Sequence, residues 1–340
     1  MQSIWKDKVM TLPAGASQFR IKDAGGNVIY EGKAEPRPNE TQTKVRINDI
    51  CADYMAAHSL PVFDGENFVP QMLAEVFTFQ YKSGASWSAG TDVEFLADWS
   101  YDYTYNPEAD GLSFPISLHL DGRQMLYAGL YADPDVTSIN AVLYFADGTH
   151  ITKVVTIQRT ADYNEDYGGD YATEEGDYHP YGVAVLNLAN YSNIVRIEML
   201  GRTYNVDYCN RYALHYVNAY GGWDSFVPAK YELMQDTYTR HTMKAAYDNG
   251  SSENRGERNY ANEIARGIAF RTDTLTDEGA VNMRHLIGST CIYLQDLLTG
   301  LFYPALITDA SCAFKTFRNN GAKRVTYSFN VRIAHDMIRR

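Results

Sequence analysis

The side chains best suited to chemistry crowd into residues 162–177. This segment holds Asp162, Glu165, Asp166, Asp170, Glu174, Glu175 and Asp177, with no Lys or Arg, and interleaves Tyr163, Tyr167 and Tyr171 with Gly168 and Gly169. Carboxylates clustered in a flexible loop suit a hard cation, and Asp162-x-Asn164-x-Asp166 has the alternating start of a calcium loop. Asp162, Asn164 and Asp166 are therefore the candidate calcium ligands. The rest of that pattern is missing. Tyr167 stands where the sharp turn wants Gly, and Thr173 stands where a bidentate Glu closes the shell. A solvated loop or a partner contact accounts for the same residues, so no metal or cofactor is required.

A second group is aromatic. Trp99-Ser100-Tyr101-Asp102-Tyr103-Thr104-Tyr105 places rings at alternate positions. Trp99, Tyr101 and Tyr103, with Trp223, are candidates for stacking on a sugar or packing on a partner; a strand with one buried face explains the run equally well. A third group is basic. Residues 312–340 carry Lys315, Arg318, Lys323, Arg324, Arg332, Arg339 and Arg340 against only Asp336. Arg324, Arg332, Arg339 and Arg340 are candidate assembly contacts, because a basic end and an acidic loop on one chain can meet between copies.

Catalytic signatures are not found in the sequence. It has no GxSxG, HExxH, Walker loop or GxGxxG, and no two of its eight histidines lie three or four residues apart. The chain is expected not to be an enzyme. Cys51, Cys209, Cys291 and Cys312 are far apart and form no CxxC pair, which leaves a zinc site without a local seed and points to free thiols. A net charge of −12 argues against a general nucleic-acid binder. The N-terminal charges Lys6, Asp7 and Lys8 interrupt any signal-peptide core, and no run of apolar residues is long enough to span a bilayer. Synthesis in the cytoplasm, with no membrane partner, is the expectation.

The elements that must position these groups read as strands. The chain of 340 residues has 27 Tyr against 14 Phe and 4 Trp, a balance that favours β structure and contact surfaces. Phe19 and Ile21 alternate with Arg20 and Lys22, then Asp23-Ala24-Gly25-Gly26-Asn27 turns into Val28 and Tyr30, a hairpin pattern. A short helix is expected near 48–58, with Asn48 as its cap. Further strands are expected at 71–81, 140–146, 151–157, 183–188 and 194–200, with another pair in 203–227 around Gly221-Gly222. Residues 236–262 read as a polar loop or extended arm. A second helix, capped by Thr276 and closed by Gly288, precedes strands at 290–296, 301–308 and 311–317 and a final strand. There Val325, Tyr327, Phe329, Val331 and Ile333 alternate with polar residues.

These readings define a mostly β protein of two or more β-sandwich-like domains with one or two short helices. Residues 1–125 form an N-terminal β domain, 126–235 a β-sandwich and 236–262 the loop or arm. Residues 263–340 form a helix-plus-sheet unit that is a candidate to complete the N-terminal domain.

Several stretches together resemble a known group. Val28-Ile29-Tyr30-Glu31-Gly32-Lys33-Ala34 is followed by Pro36 and Pro38, then by Arg46-Ile47-Asn48-Asp49-Ile50-Cys51-Ala52-Asp53-Tyr54. Cys209-Asn210-Arg211-Tyr212-Ala213-Leu214-His215-Tyr216-Val217-Asn218-Ala219-Tyr220-Gly221-Gly222-Trp223-Asp224 comes next, and the C-terminal helix-plus-sheet order completes the set. This order resembles tail proteins of bacteriophages and prophages of gut Bacteroidetes, of the distal tail or baseplate type. The resemblance implies a tail-tube-like β fold, a fibronectin-like sandwich around 203–227, and a homo-oligomeric ring, often sixfold, in the virion tail beside other tail proteins. It brings no catalytic residue. The alternative reading is a carbohydrate-binding sandwich for host surface glycans, resting on the aromatic run and Trp223.

Overall fold

The computed structural model describes residues 2–3, 8–36, 42–58, 62–64, 67–69, 74–96, 111–133, 135–158, 181–244, 257–309, 326–334 and 337–339. Over these residues the protein is mostly β, with several sheets and two α-helices.

The N-terminal unit contains Gln2–Ser3 (β1), Val9–Thr11 (β2), Ala16–Lys22 (β3), Val28–Lys33 (β4), Lys44–Arg46 (β5), the helix Asn48–His58 (α1), Val62–Asp64 (β6), Asn67–Val69 (β7), Ala74–Ser83 (β8), Ser86–Trp87 (β9) and Thr91–Leu96 (β10). Its main sheet runs β1-β10-β8-β3-β4, with β9 on β8. The expected hairpin is β3–β4, pairing Phe19 with Gly32 and Ile21 with Tyr30. Asp23 holds its turn: the Asn27 amide donates to Oδ1 at 2.7 Å and the Tyr54 hydroxyl donates to Oδ2 at 2.9 Å, which ties the turn to α1. Phe19, Ile21, Phe77, Phe79 and Phe95 from the sheet close on Cys51 and Met55 of α1 in one core. Asn48 accepts the Lys8 amide at 2.5 Å and so fastens α1 to the strand before it.

The next unit contains His119–Asp121 (β11), Met125–Tyr131 (β12), Ser138–Phe145 (β13), His150–Gln158 (β14), Tyr181–Asn187 (β15), Ile194–Met199 (β16) and Arg202–Asp207 (β17). The sheet order is β11-β17-β16-β13-β14-β15-β12. β14 pairs β13 through Thr156 and pairs β15 at Ile157–Gln158, so the sheet folds over along it. Leu120, Leu126, Leu143, Val155, Leu186, Ile197 and Tyr204 come from all seven strands and share one core, as a sandwich requires.

The third unit contains Tyr212–Val217 (β18), Trp223–Phe226 (β19), Lys230–Lys244 (β20), Glu257–Arg271 (β21), the helix Asp277–Ile287 (α2), Ile292–Asp296 (β22), Phe302–Ile307 (β23), Ser328–Ile333 (β24) and Met337–Arg339 (β25). Its sheet runs β19-β18-β22-β23-β24-β21-β20, with β25 on β21. Two expected boundaries move. The sandwich ends at β17, because Tyr212 onward pairs with Asp296 and β22. The C-terminal unit is completed by β18 and β19, and its strands pair with no strand of the N-terminal sheet among the described residues. The expected strand at 311–317 lies outside the described residues.

These two units stack in layers. β12 is apolar on both faces: Leu126, Ala128 and Leu130 enter the sandwich core, whereas Tyr127 enters a second core with Val183, Val217 and Trp223. The far face of the third sheet packs Tyr212, Leu214, Tyr216, Phe226, Ile268, Phe270 and Phe329 against Ala280, Met283 and Leu286 of α2. Thr276 caps α2 by accepting the Gly279 amide at 3.1 Å, as its sequence predicts.

Gly279 illustrates how the layers constrain sequence. Alanine inside a helix normally gains about 1 kcal/mol over glycine. A Cβ at Gly279 would meet the Ile116 carbonyl oxygen at 2.2 Å. Overpacking against backbone costs about 1–3 kcal/mol, so the sign reverses. Gly279→Ala is expected to destabilise the protein by about 1–2 kcal/mol in urea denaturation.

Candidate interaction surface

The buried polar groups around segment 112–116 are committed to the fold. Segment 112–116 runs between the sandwich, the third sheet and α2. Asp224, 1 % exposed on β19, gathers it in: Ser113 Oγ donates to Oδ1 at 2.7 Å, the Phe114 amide to Oδ2 at 2.9 Å, and Asn218 Nδ2 to Oδ2 at 2.8 Å. Asn218 Nδ2 also donates to the Leu112 carbonyl at 2.8 Å, Arg202 to the Ser113 carbonyl at 2.7 Å, and Asn282 to the Pro115 carbonyl at 3.2 Å. Burial pushes the Asp224 carboxyl up to about 6, against the pull of these donors. Two histidines complete the seams. His215 meets Ser225 Oγ at 2.9 Å and Gln295 Oε1 at 3.1 Å, and those two side chains accept the Tyr127 and Met125 amides of β12. His285 accepts the Ala219 amide at 3.1 Å and stacks on Phe114. Burial lowers both imidazoles to about 4, so they are neutral spacers.

One cluster brings together Cys209, Asp207 and His119. His119 Nε2 bonds Asp207 Oδ2, and Asn210 Nδ2 donates to Asp207 Oδ1 at 2.9 Å. A thiol nucleophile needs the imidazole as its direct base. Here the carboxylate lies between them, and its hydrogen bond with Cys209 raises the thiol's pKa and keeps it protonated. The cluster holds the chain at the exit from the sandwich. Cys51, Cys209 and Cys291 are free thiols.

Trp223 is corrected by the structure. It is fully buried among Tyr127, Tyr181, Val183 and Val217, because the β12–β15 layer covers β19, so its ring cannot stack on a sugar. Trp99, Tyr101, Tyr103, the calcium candidates Asp162, Asn164 and Asp166, and Arg324 and Arg340 lie outside the described residues. Among the described residues no three His, Cys, Asp or Glu side chains are grouped to hold a metal, and no helix is long and apolar enough to cross a membrane.

The surface that stands out was expected to be a polar loop or arm. Residues 230–244 and 257–271 instead form a two-stranded ribbon, β20–β21, with fifteen residues on each side. At about 3.4 Å per residue it is on the order of 50 Å long. β24 supports β21 at Gly267–Arg271 and β25 at Asn262–Ile264. From Ala261 outward, β21 pairs with β20 alone among the described residues. The sequence signal was weak because both faces of the ribbon are solvated, so its pattern lacks the strong apolar alternation of a half-buried strand. Period-2 order is nevertheless present: Tyr238, Arg240 and Thr242 share one face, while Thr237, Thr239 and His241 share the other.

The ribbon is stabilised across its own strands. Arg266 Nε donates to Asp236 Oδ1 at 3.0 Å, and His241 Nε2 meets Glu263 Oε1 at 2.9 Å. Four of its large apolar side chains lie outside: Leu233 is 57 % exposed, Tyr238 55 %, Met243 52 % and Tyr260 57 %. At its base a groove runs over Ala265, Gly267 and Ala269, with Leu233 and Thr237 lining it from β20 and Arg332 from β24. Arg332 Nε is shielded from solvent and has no hydrogen-bond partner among the described residues. Arg332 and Arg339, both expected to be assembly contacts, thus belong to strands flanking the ribbon. No protein-family model matches the chain, and no curated protein matches it in sequence.

The buried clasp gives a pH test. The folded state keeps the Asp224 proton between about pH 4 and 6, where the unfolded chain has released it. The contribution of Asp224 is therefore full below about 3.8 and is lost as pH rises through 6. His215 and His285 act oppositely: their contribution is full above 6.5 and is lost as pH falls toward 4. In Asp224→Asn the amide oxygen can still accept from Phe114 and Asn218, while Ser113 reverses its hydroxyl to accept from the amide. Only the Asp224 term is then removed. Urea denaturation at pH 4 and pH 7 is expected to show the variant gaining on the parent by up to about 3 kcal/mol, from roughly 2 pKa units.

Proposed function

We propose that this protein is a structural assembly subunit whose work is done by surfaces joining copies and neighbours. The observation that carries this reading is the β20–β21 ribbon. A monomeric protein has little use for a two-stranded projection with a long unpaired edge and exposed Leu, Met and Tyr, because such an edge is a template for another chain. An assembly subunit uses it as an arm, recovering backbone hydrogen bonds and apolar burial on contact.

The particular setting we propose is a bacteriophage or prophage tail. There the chain would form a ring at the distal tail or baseplate, with other tail proteins as neighbours. The resemblance of the segments around Val28, Arg46 and Cys209 supports this setting, and the β-layered architecture is compatible with it. The rigid platform beneath the ribbon also suits the role. The clasp at Asp224 and the two-faced β12 lock sandwich, sheet and helix together, so force applied to the arm passes to the whole of that body.

Light scattering and negative-stain electron microscopy of the purified full chain test the proposal. Closed rings of several copies, and labelling of the tail when antibody is applied to phage particles, are the expected results. A chain that forms no ring at any concentration and no part of a tail would overturn it.

A further inference from the structure

Among the described residues β20 pairs with β21 alone, and its outer edge carries a sequence that reads as its own complement. When two β20 strands run antiparallel about Tyr238, Leu233 falls opposite Met243, Met234 opposite Thr242, Gln235 opposite His241, Asp236 opposite Arg240, and Thr237 opposite Thr239. Each pair recurs on the other side of the axis. The charges match, the amide faces the imidazole, the hydroxyls face each other, and the two apolar residues close each end. Two tyrosines meet at the centre, where directly opposed Cβ atoms in an antiparallel pair lie about 4.5–5.5 Å apart.

The geometry of the strand permits this contact. The irregularities of the ribbon fall between Tyr231 and Leu233 and at the Tyr260 insertion in β21, so Leu233–Met243 is an unbroken stretch of β20. This stretch has no Pro and no Lys, and the bulge opposite His241–Thr242 is carried by β21. Asp236 is engaged with Arg266 through Oδ1 only. Arg240 is exposed and has no hydrogen bond or ion pair among the described residues. A second copy would therefore supply Arg240 with a carboxylate and Asp236 with a second cation.

The register is selective. Backbone groups that point outward must meet outward-pointing groups, so alternative registers differ by steps of two residues. Moving one step places Asp236 opposite Tyr238 and Arg240 opposite Met234. Moving the other way places Asp236 opposite Thr242 and Arg240 opposite Tyr238. Only the register about Tyr238 pairs both charges and the terminal apolar residues together.

We propose that two copies of this chain associate through β20, antiparallel about Tyr238, extending the third sheet across a twofold axis. Eleven paired residues on each strand give on the order of ten backbone hydrogen bonds. The inference rests on the ribbon being an assembly arm, and it adds the occupant, the symmetry and the register. Such an isologous contact would join two rings face to face or link two free subunits.

The test uses the full chain. Sedimentation equilibrium of the parent is expected to show reversible dimers. Arg240→Asp sets like charges opposite each other twice per dimer and is expected to weaken self-association at least tenfold with an unchanged circular dichroism spectrum. Asp236→Arg is expected to weaken it similarly, and a mixture of the two variants to recover a heterodimer. Tyr238→Cys, in a Cys209→Ser background, is expected to oxidise to a dimer linked through residue 238 of each copy. A parent that stays monomeric at its highest soluble concentration overturns the proposal. So does twofold association that Arg240→Asp leaves intact. Ring pairs that stay joined face to face in Arg240→Asp would overturn this pairing while leaving the ring proposal standing, and twofold dimers without rings would do the reverse.

Discussion

A carboxylate buried at the meeting point of three layers organises this molecule. Asp224 sits on β19 with almost no solvent contact, and three donors converge on it from segment 112–116 and the turn at Asn218. A buried charge without partners costs several kcal/mol, whereas one with three donors in place can hold its neighbours to a single geometry. The rest follows from that geometry. Segment 112–116 is drawn between the sandwich and the third sheet, Leu112 and Ile116 enter the cores on either side, and α2 approaches so closely that Gly279 can carry no side chain.

The same seam removes one of the two edges of the third sheet. β19 is covered by β12 and by segment 112–116, and Ser225 and Gln295 satisfy the outward amides of β12. The opposite edge, β20, has no such cover among the described residues. Exposure is therefore concentrated at one end of a well-buried platform. Rigidity at one end and, among the described residues, a strand paired on one side only at the other both suit the assembly role proposed above. The histidines belong to the platform: held neutral by burial, they space the layers without adding charge.

Much of the architecture could be read from residue pattern, because the pattern is set by water. Strands with one buried face, such as β24 with Phe329 and Val331 inward and Ser328 and Asn330 outward, announce themselves by alternation. The turn at Asp23–Asn27 and the Thr276 cap are local hydrogen-bonding arrangements, and local chemistry is legible in local sequence. The ribbon was missed as β structure for the complementary reason: with both faces in solvent, no burial imposes a period. Trp223 was misread because exposure depends on which layer covers a strand.

By itself, then, the sequence determined the β class, the two helices, the Thr276 cap of α2, most hairpins and the self-complementary order of residues 233–243. Each of these depends on neighbours along the chain or on water. Tertiary structure alone decided that Trp223 and Asp224 are interior, that the sandwich ends at Asp207, that residues 212–226 complete the C-terminal sheet, and that β20 pairs with β21 alone among the described residues. Those outcomes arise from pairings between residues far apart in the chain. No spacing encodes such pairings, because backbone hydrogen bonds carry no sequence label and only the packing of side chains across layers chooses among them.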